Sequence, residues 1–597
     1  MLRSVLSLAL GIALVGGSAP DAPTRRTMAA LDLTDIGARG AAVPFDEYEA
    51  ENAVFTGRRI GPDRRFQTLA AEASGRMAVL LSGPDDEVTV TLARAANALT
   101  VRTAIPDGAD GRGQDATMGI YIGGERIGTL ALTSRYGWFY GRYPFTNDPA
   151  DGQPHHFWDH ARLLLDTMLP AGTQVTLKAA DGAAWTALDL VDFETVAGPL
   201  TPPPEAVSIM NFGADPTGRR SSAHALEQAI AAAQGQGGSV WLPPGRFRVD
   251  RHVIVDRVTI AGAGMWYSSL VGRGVGLYGR EAPAGSSHVR LQDFAILGEV
   301  DERVDDEQVN AIGGAMGDGS SIERLWLQHH KVGLWFDGPM RGIRISGLRI
   351  LDMTADGLNF HRGVTDVVVE HNFVRNTGDD GLASWAHKQD NADIVFRRNT
   401  VIAPVLANGI AVYGGRNIAI EANLVADTVT QGGGLHVGNR FDAVPASGSI
   451  RLADNLVIRA GSFDPNWRFG IGAVWFYALD APMVASLSVF DTDIVAPTLE
   501  AVLLTGQSIQ TVDFKNLRLT STRDPMITIR SRGIATAEYI AGNTRKVSLL
   551  VCDPAFEFRA FGNQKFYRLP ASLCLRDEAS LTQIHESSME ASATKPS

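Results

Sequence analysis

Three aspartates near the middle of the chain have the residue type and spacing that acid–base chemistry on a glycosidic bond requires. Asp356 and Asp380 each open the tripeptide Asp-Gly-Leu, and the two copies stand 24 residues apart. Asp379 lies directly before the second copy. Glycosidic hydrolysis needs an acid that protonates the leaving oxygen and a carboxylate that activates water or attacks the sugar. The three aspartates therefore predict the catalytic centre of a polysaccharide hydrolase.

The region around these aspartates is a sequence repeat. A glycine followed by an apolar residue recurs in steps of 24, 24, 28 and 25 residues, at Gly333, Gly357, Gly381, Gly409 and Gly434. A second series of β-branched runs places asparagines in phase, at Asn372, Asn399, Asn423 and Asn455. Period-two runs with short glycine spacing exclude a helical solenoid. They predict a β-solenoid in which stacked asparagines hydrogen-bond successive coils at a bend.

The phase of the repeat predicts how the aspartates are arranged. Residues at equal offsets from the glycine lie above one another on adjacent coils, about 4.8 Å apart. Asp356 and Asp380 both precede their glycine, so we expect stacked carboxyl groups whose titrations are coupled and which hold a water or a cation between them. Asp379 is offset by one residue, so we expect its carboxyl to project differently and to lie further off.

Positions after each glycine predict the surroundings of the aspartates. The residues at the first and third positions after the glycine should face the core: Leu358, Phe360, Leu382, Ile410 and Val412. The positions between them should face outward and form a groove floor that binds a sugar chain, with Asn359, His361, Trp385, Tyr413 and His436. The alternative is that these outward aromatic side chains cover a neighbouring loop.

The rest of the chain predicts an all-β protein with several parts. The segment FGADPTG at 212–218, a capped helix and then VWLPPG resemble the N-terminal cap of pectin-lyase-like right-handed parallel β-helices. Turn-separated strand patterns ahead of it predict a separate β domain, whose first and last strands resemble those of carbohydrate-binding β-sandwiches. The predicted parts are a secretory signal at 1–22, the sandwich at 45–198, a Pro-rich linker at 199–207, the β-helix with its cap at 208–576 and a disordered tail at 577–597.

Charge and cysteine usage restrict the partners. The net charge is −12 and there is no Lys/Arg-rich run, which disfavours nucleic acid and anionic membranes. No apolar run is long enough for a good membrane span, so the sequence predicts a secreted, soluble monomer. Cys552 and Cys574, the only two cysteines, predict a disulfide worth roughly 3 kcal/mol rather than a zinc site. We expect no cofactor for catalysis.

Two stretches of the predicted sandwich indicate ligands or contacts of that domain. Tyr48–Asn52 and 188–192 resemble the first and last strands of carbohydrate-binding sandwiches, and this resemblance implies a structural calcium held by Glu49, Glu51 and Asp189. The alternative is that these acids decorate the outer face of strands. Residues 135–158 include eight Phe, Trp or Tyr residues, which suits sugar stacking or an interface with the next domain.

The motifs TADGLN at 354–359, GDDGLA at 378–383 and ANGIA at 407–411 resemble the active-site pattern of polygalacturonases and more closely that of glycoside hydrolase family 87. That family comprises the α-1,3-glucanases and mycodextranases, and the resemblance covers most of residues 45–545. It implies an inverting, endo-acting α-glucanase with Asp379 as general acid and Asp356 and Asp380 activating the water. The predicted stacking of Asp356 on Asp380, with Asp379 offset, implies the same division of roles.

The differences from polygalacturonases bear on the substrate. Asn408 stands where those enzymes carry a histidine, and no lysine lies between Lys388 and Lys515. A groove for uronates normally needs such cations, so the sequence favours a neutral α-glucan. Two alternative functions remain open from the sequence. A polysaccharide lyase would need an Arg or Lys base with calcium, and a non-catalytic glycan-binding β-helix would not need stacked aspartates.

Overall fold

The computed structural model describes residues 38–575, apart from 144, 147, 235–237, 521, 543–546 and 563–564. The predicted signal segment at 1–22 and the predicted tail at 577–597 lie outside the described residues. Within the described part of the chain, no helix is long and apolar enough to cross a membrane.

The first part of the chain is a sandwich of two antiparallel sheets. One sheet contains Phe45–Glu49, Arg58–Ile60, Ala78–Leu81, Ala96–Ala104, Asp159–Leu169 and Thr186–Glu194. The other contains Val54–Phe55, Glu87–Thr91, Asp115–Ile122, Glu125–Thr133 and Gln174–Lys178. Alternating strands bury apolar side chains between the sheets, including Val88, Val101, Ile120, Val175 and Val191. A short helix, Leu69–Glu72, lies between two strands.

The second part is a parallel β-helix, in which each strand pairs with strands one coil before and after it. Thr217–Ser221 and the helix Ala223–Gln234 precede its first full coil. We divide the strands into three columns, A, B and C. Column A contains Ser239–Leu242, Thr259–Gly262, Ile343–Ser346, Val364–Glu370, Ala392–Arg397, Arg416–Glu421, Ser447–Ala453, Met483–Phe490 and Phe556–Ala560. The predicted fold class is confirmed.

Columns B and C complete each coil. Column B contains Gly245–Arg248, Ser268–Val271, Arg349–Met353, Phe373–Thr377, Thr400–Ile402, Leu424–Ala426, Leu456–Ile458, Asp493–Val495 and Arg518–Thr520. Column C contains His252–Ile254, Gly276–Tyr278, Ile312–Gly314, Leu334–Asp337, Leu358–His361, Leu382–Trp385, Ile410–Tyr413, Leu435–Asn439, Val474–Ala478, Val547–Val551 and Phe566–Arg568. Four long strands pass through two columns: Arg290–Leu297, Ser320–Gln328, Val502–Lys515 and Ile527–Glu538.

The interior of the coils is apolar, as the repeat predicts. The five side chains expected to face the core have no exposed surface: Leu358, Phe360, Leu382, Ile410 and Val412. Phe360 stacks between Phe336 and Phe396, with ring centroids 5.7 and 6.2 Å away. Because these rings come from neighbouring coils, the same contact stabilises both the interior of each coil and the stacking of the coils.

The predicted asparagine ladder is also confirmed. The Oδ1 atom of Asn399 accepts hydrogen bonds from the backbone N (3.1 Å) and Nδ2 (2.9 Å) of Asn372. Asn423 and Asn455 continue the same pattern along the stack. All four side chains are fully buried, so each amide satisfies backbone groups at a bend that no strand ladder reaches.

Two features fasten the first and last described segments of the chain to the coils. A disulfide joins Cys552, after the strand Val547–Val551, to Cys574 in the terminal 3₁₀ turn, as the sequence predicts. Residues 38–44, here called the strap, run along the coil stack. Arg39 pairs with Asp493, and the backbone N of Gly40 donates to the carbonyl of Ala422 at 2.8 Å. Gly40 has φ +80° and a Cβ there would lie 2.7 Å from Thr400, so this position needs glycine.

The sandwich packs its six-stranded sheet against column B through buried charges. Arg349 makes two hydrogen bonds to Glu194, at 2.6 and 2.7 Å. Arg375 pairs with Asp192 at 3.0 Å and with Glu47. These paired arginine side chains are at most 9% exposed. The two parts of the chain are therefore joined by directed ion pairs, and the apolar contacts between them are confined to small clusters.

Candidate active site

The three aspartates lie at the corner where each coil passes from column B to column C. The strands after them pair in register, with Leu358 opposite Leu382 and His361 opposite Trp385. The backbone N of Gly357 donates to the carbonyl of Asp380 at 3.0 Å. Asp356 and Asp380 therefore occupy equivalent positions on adjacent coils, as the phase of the repeat predicts.

The carboxyl groups form a compact cluster. Asp356, Asp379 and Asp380 each place an oxygen within 4.8 Å of the others. Asp356 and Asp380 are 7% and 3% exposed, whereas the Asp379 side chain is 24% exposed. The offset of one residue thus turns Asp379 towards solvent, but it does not carry its carboxyl away from the other two. The expected wider separation of Asp379 from the stacked pair is not seen, because one of its carboxyl oxygens lies within 4.8 Å of an oxygen of each.

Neighbouring side chains hold each carboxyl in place. Asp380 accepts hydrogen bonds from the backbone N and Nδ2 of Asn408, at 2.7 and 2.9 Å, and from the hydroxyl of Tyr413 at 2.8 Å. Asp356 accepts one from Nδ2 of Asn359 at 2.9 Å. These contacts orient the stacked pair towards the space that it shares with Asp379.

Burial and mutual repulsion favour protonation of the stacked pair. Burial raises the pKa of Asp356 well above its usual value, and the charges of Asp379 and Asp380 raise it further. Burial and the charge of Asp379 raise the pKa of Asp380 to about 7, although hydrogen bonds from Asn408 and Tyr413 lower it. The pair therefore binds a proton near neutral pH, which is typical of carboxyl groups that perform acid–base chemistry.

Arg303 is a site residue that the sequence analysis missed. Its guanidinium contacts Asp379 at 2.9 Å and Asp305 at 2.6 Å, and it lies 5.0 Å over the ring of Tyr140. Lys331 holds the same loop by donating to the carbonyl of Asp305 at 2.7 Å. Arg303 lies in a loop outside the repeat, so periodicity offers no signal for it. Lys331 is in phase with Asp379, two coils earlier, and that position could have indicated it.

The predicted groove residues lie in two different environments. His361 and Trp385 are partly exposed, with ring centroids 4.8 Å apart. The Nδ1 atom of His361 lies 3.1 Å from Asp337 and its Nε2 lies 2.8 Å from Nδ1 of His387. Trp385 donates from Nε1 to the carbonyl of Phe441 at 2.9 Å. These two side chains form an aromatic surface along column C, as predicted.

Tyr413 and His436 are buried, so their predicted position on an open floor is wrong. Tyr413 is 7% exposed because it turns to Asp380 and lies against Phe441, 5.4 Å away. His436 is fully buried, 4.2 Å from the ring of Trp475. Asn359, 5% exposed, is likewise turned to its neighbour Asp356. Phe441, in a loop between strands, lies against Tyr413, and Trp475 on the next coil lies against His436.

The sandwich contacts the same corner from outside. Asp352 and Asn376 are in phase, with φ +53° and +63°, and precede the aspartates by three or four residues. Nδ1 of His160 lies 2.8 Å from the Asp352 carboxylate. Arg102 donates to Oδ1 of Asn376 at 2.9 Å, and it pairs with Asp189 at 2.6 Å. The strands Ala96–Ala104 and Asp159–Leu169 thus position the chain that carries the aspartates.

The residues predicted to hold calcium are only partly suited to it. Asp189 is taken up by Arg102 and by the backbone N of Ser74 at 3.1 Å. Glu49 accepts from the hydroxyl of Ser74 at 2.7 Å, but its second oxygen and one oxygen of Glu51 are buried without a partner. Burial raises the pKa of Glu51 to about 7. Among the described residues, Glu49, Glu51 and Asp189 do not form one of the acid clusters compact enough to hold an ion, and calcium binding stays a prediction.

A parallel β-helix with clustered acids at one corner and an aromatic surface beside them is the arrangement expected of an enzyme that acts on carbohydrate. Residues 42–196 match the α-1,3-glucanase catalytic domain D1, and residues 217–442 match the α-1,3-glucanase catalytic domain D2. No curated protein matches the chain.

Solved structures give the same result. The catalytic unit of a thermostable GH87 α-1,3-glucanase from Streptomyces thermodiastaticus strain HF3-3 is 36% identical, with a TM-score of 0.80 over 89% of this chain and 99% of that one. The Agl-KA catalytic domain (22% identity, TM-score 0.79, 88% and 99% covered) shares the fold. So does a GH87 α-1,3-glucanase catalytic domain in complex with tetrasaccharides (22%, 0.73, 89% and 99%).

The chain belongs to glycoside hydrolase family 87, the family of these α-1,3-glucanases, and it is a glycoside hydrolase that acts on glucan. This membership sets aside the lyase and the non-catalytic β-helix as readings of the sequence.

Proposed function

We propose that this protein is an inverting, endo-acting hydrolase of a neutral α-1,3-linked glucan, with Asp356, Asp379 and Asp380 as its catalytic centre. The observation that supports the proposal most directly is the cluster of three carboxyl oxygens within 4.8 Å. Related catalytic domains in complex with nigerose and with tetrasaccharides support the choice of linkage.

We assign the stacked pair to the water. Asp356 and Asp380 face each other from adjacent coils, and burial raises the pKa of both. When one of the two carboxyl groups has lost its proton, that ionised carboxylate takes a proton from a bound water while the water oxygen bonds to the anomeric carbon. Asn408 and Tyr413 hold the Asp380 oxygens in the position this transfer needs.

We assign the leaving oxygen to Asp379. Its carboxyl is the exposed one of the three, so it can contact an oxygen of a sugar chain in the groove. As the glycosidic bond breaks, its proton passes to the departing oxygen. This role requires Asp379 to be protonated in the complex. Arg303 keeps Asp305 as a second carboxylate partner at 2.6 Å, so its charge stays paired when Asp379 carries the proton.

Replacement of each aspartate by asparagine tests the centre. We expect turnover of α-1,3-glucan to fall about 10²–10⁴-fold for each variant, with an unchanged melting temperature. A variant that keeps more than a third of the wild-type rate would remove that residue from the mechanism.

A glycosyl fluoride separates the roles. Fluoride leaves without protonation, so Asp379→Asn should lose much less activity on an α-glucosyl fluoride substrate than on the polymer, whereas Asp356→Asn and Asp380→Asn should lose activity on both. The reverse pattern would transfer the acid role to the stacked pair.

The stereochemistry needs its own experiment. A water held by the stacked pair and an offset acid would give a single displacement with inversion, which is also what the family resemblance implies. The nearest carboxyl oxygens lie within 4.8 Å, however, which is closer than the ~6.5–9.5 Å between the carboxyl groups of inverting enzymes. Proton NMR of the first products should show the β-anomer. Early accumulation of the α-anomer would make one aspartate a nucleophile.

We further propose that the protein is secreted. The Cys552–Cys574 disulfide is typical of oxidising compartments, and residues 1–22 have the composition of a secretory signal. Protein recovered from the culture medium should begin between residues 19 and 23 by N-terminal sequencing. Protein found only inside the cell with both thiols free would contradict this.

A further inference from the structure

Two exposed aromatic rings from the two halves of the chain meet beside the candidate active site. Tyr143 belongs to the aromatic stretch of the sandwich, and Trp467 lies in the hairpin formed by Ser462–Asp464 and Phe469–Ile471. Their side chains are 51% and 67% exposed. Their ring centroids lie 5.8 Å apart, with the ring planes inclined by 57°. We call them the distal aromatic pair.

A series of contacts connects the pair to Asp379. Arg303 contacts Asp379 at 2.9 Å and lies over the ring of Tyr140. Phe145 stacks on Tyr140 at 4.5 Å, and Tyr143 meets Phe145 edge-on at 5.7 Å. A continuous series of side-chain contacts in the sandwich therefore leads from Asp379 to the distal aromatic pair.

A second series of contacts connects the pair to Asp380. Asn408 donates to Asp380, and the backbone N of Gly433 donates to Oδ1 of Asn408 at 2.8 Å. The adjacent Gly432 exchanges hydrogen bonds with the hydroxyl of Ser462, at 3.0 and 2.9 Å. The hairpin of Trp467 thus grows from the same corner of the coil as the aspartates. It lies three coils further on, about 14 Å along the axis.

We propose that Tyr143 and Trp467 form a distal subsite that stacks on glucosyl rings of the polymer beyond those at the cleavage point. This subsite rests on the proposed function, and it specifies where the enzyme binds a long substrate. Pyranose rings present C–H faces that pack on aromatic rings, and a neutral glucan needs no charged partner there. The pair lies about three coils from the aspartates, a distance that a chain several sugars long spans.

The exposure of the two rings distinguishes this role from simple packing between the two parts. The neighbouring aromatic side chains that join the sandwich to the coils are buried, with Trp138 at 6%, Phe139 at 3% and Tyr140 at 4% exposed. Tyr143 and Trp467 contact each other but leave half or more of their surface in solvent. Adjacent exposed aromatic surface next to a site is typical of a ligand-binding position.

Chain-length dependence tests the subsite in the full-length protein. The substrates are a soluble α-1,3-glucan polymer and an α-1,3-linked trisaccharide, and the variants are Trp467→Ala, Tyr143→Ala and Trp467→Phe. We expect each alanine variant to lower the ratio of kcat/KM on the polymer to kcat/KM on the trisaccharide about two- to tenfold. Trp467→Phe should restore most of this ratio, because it keeps an aromatic face.

A matched control uses Tyr567, which is equally exposed at 51% but lies on a strand near the end of the β-helix. Tyr567→Ala should keep the wild-type ratio. Affinity of each alanine variant for the polymer, measured in an Asp379→Asn background, should fall together with that ratio. An unchanged ratio, or equal losses on both substrates, would overturn the subsite and leave the proposed function intact. A wild-type protein that cleaves neither substrate would overturn the proposed function, and the subsite with it.

Discussion

The interior of the coils and the interface with the sandwich are both buried, but they are built from opposite kinds of side chain. Inside the coils, Phe336, Phe360 and Phe396 stack with no exposed surface. At the interface, Arg102 and Asp189 are equally buried and form an ion pair. Apolar packing is favourable in almost any direction, whereas a buried charge is tolerated only with its partner in place.

The difference shows which region supplies stability and which supplies geometry. Removing charges from water costs several kcal/mol for each ion, so the interface pairs add little net stability. They do fix directions, because Arg102 also donates to Asn376, three residues before Asp379. The apolar interior keeps the coils stacked, and the charged interface determines where the catalytic corner points. Four substitutions test this division.

The interior should carry the largest effect on stability. Phe360→Ala removes a fully buried ring that contacts rings on the coils before and after it, so the free energy of unfolding should fall by about 3–5 kcal/mol. Denaturant unfolding measures this. The matched control is Phe561→Ala, at a position 53% exposed, which should change it by less than about 0.5 kcal/mol. A loss below about 1 kcal/mol at Phe360 would mean that the coils do not depend on this stack.

The interface should show a separable effect on geometry. Arg102→Met leaves Asp189 buried without its partner and should cost about 3 kcal/mol. The double variant Arg102→Met/Asp189→Leu removes both charges, so unfolding should return to within about 1 kcal/mol of wild type.

The value of kcat should be low in the single variant and equally low in the double variant, because Asn376 lacks the hydrogen bond from Arg102 in both. Unfolding curves and steady-state kinetics on the same preparations make the comparison. Recovery of kcat together with stability would show that the interface contributes stability alone.

The asparagine ladder should give an intermediate effect, since it is polar but lies at a bend of the coils. Asn399→Ala removes an amide that bonds Asn372 and Asn423, and it leaves buried groups without partners. We expect a loss of about 1–3 kcal/mol with unchanged kcat, measured as above. A fall in kcat without a loss of stability would show that the ladder, like the interface, acts on the geometry of the site.

The smallest effect should be a shift in pH dependence without a change in stability. Tyr413 donates a hydrogen bond to the Asp380 carboxylate and so lowers its pKa, which burial raises to about 7. Tyr413→Phe removes that bond, so the pKa of Asp380 should rise. If the stacked pair must be ionised to activate water, the acidic limb of kcat/KM moves to higher pH, by about one unit.

The matched control for this shift is Tyr477→Phe, because Tyr477 lies on column C two coils further on. Its profile should be that of the wild type. A downward shift in the Tyr413→Phe profile would contradict the role of Asp380 as a base.

The sequence predicts what repeats and misses what does not. The glycine phase correctly places Asp356 above Asp380, and the asparagine phase predicts the ladder, because both depend only on stacking within one solenoid. Arg303 and the burial of Tyr413 depend on loops that follow no period. The contact between Arg102 and Asn376 joins residues 274 positions apart on two folds, so no local pattern specifies it. Periodicity therefore locates the acids but not the groups that position them.

The strap is synthesised early but completes its contacts late. Residues 38–44 emerge from the ribosome early, yet the partner of Arg39 is Asp493, 454 positions later. Domains usually fold from the N-terminus during synthesis at about 5–20 residues per second, so this contact forms only after a delay of roughly 20–90 s. Gly40 and Ala41 contact Ala422 and Thr400, which are made earlier, so the strap docks in steps and the contact of Arg39 completes it last. Protease should cut residues 38–44 more readily in ribosome-bound chains that stop short of Asp493 than in the released full-length protein.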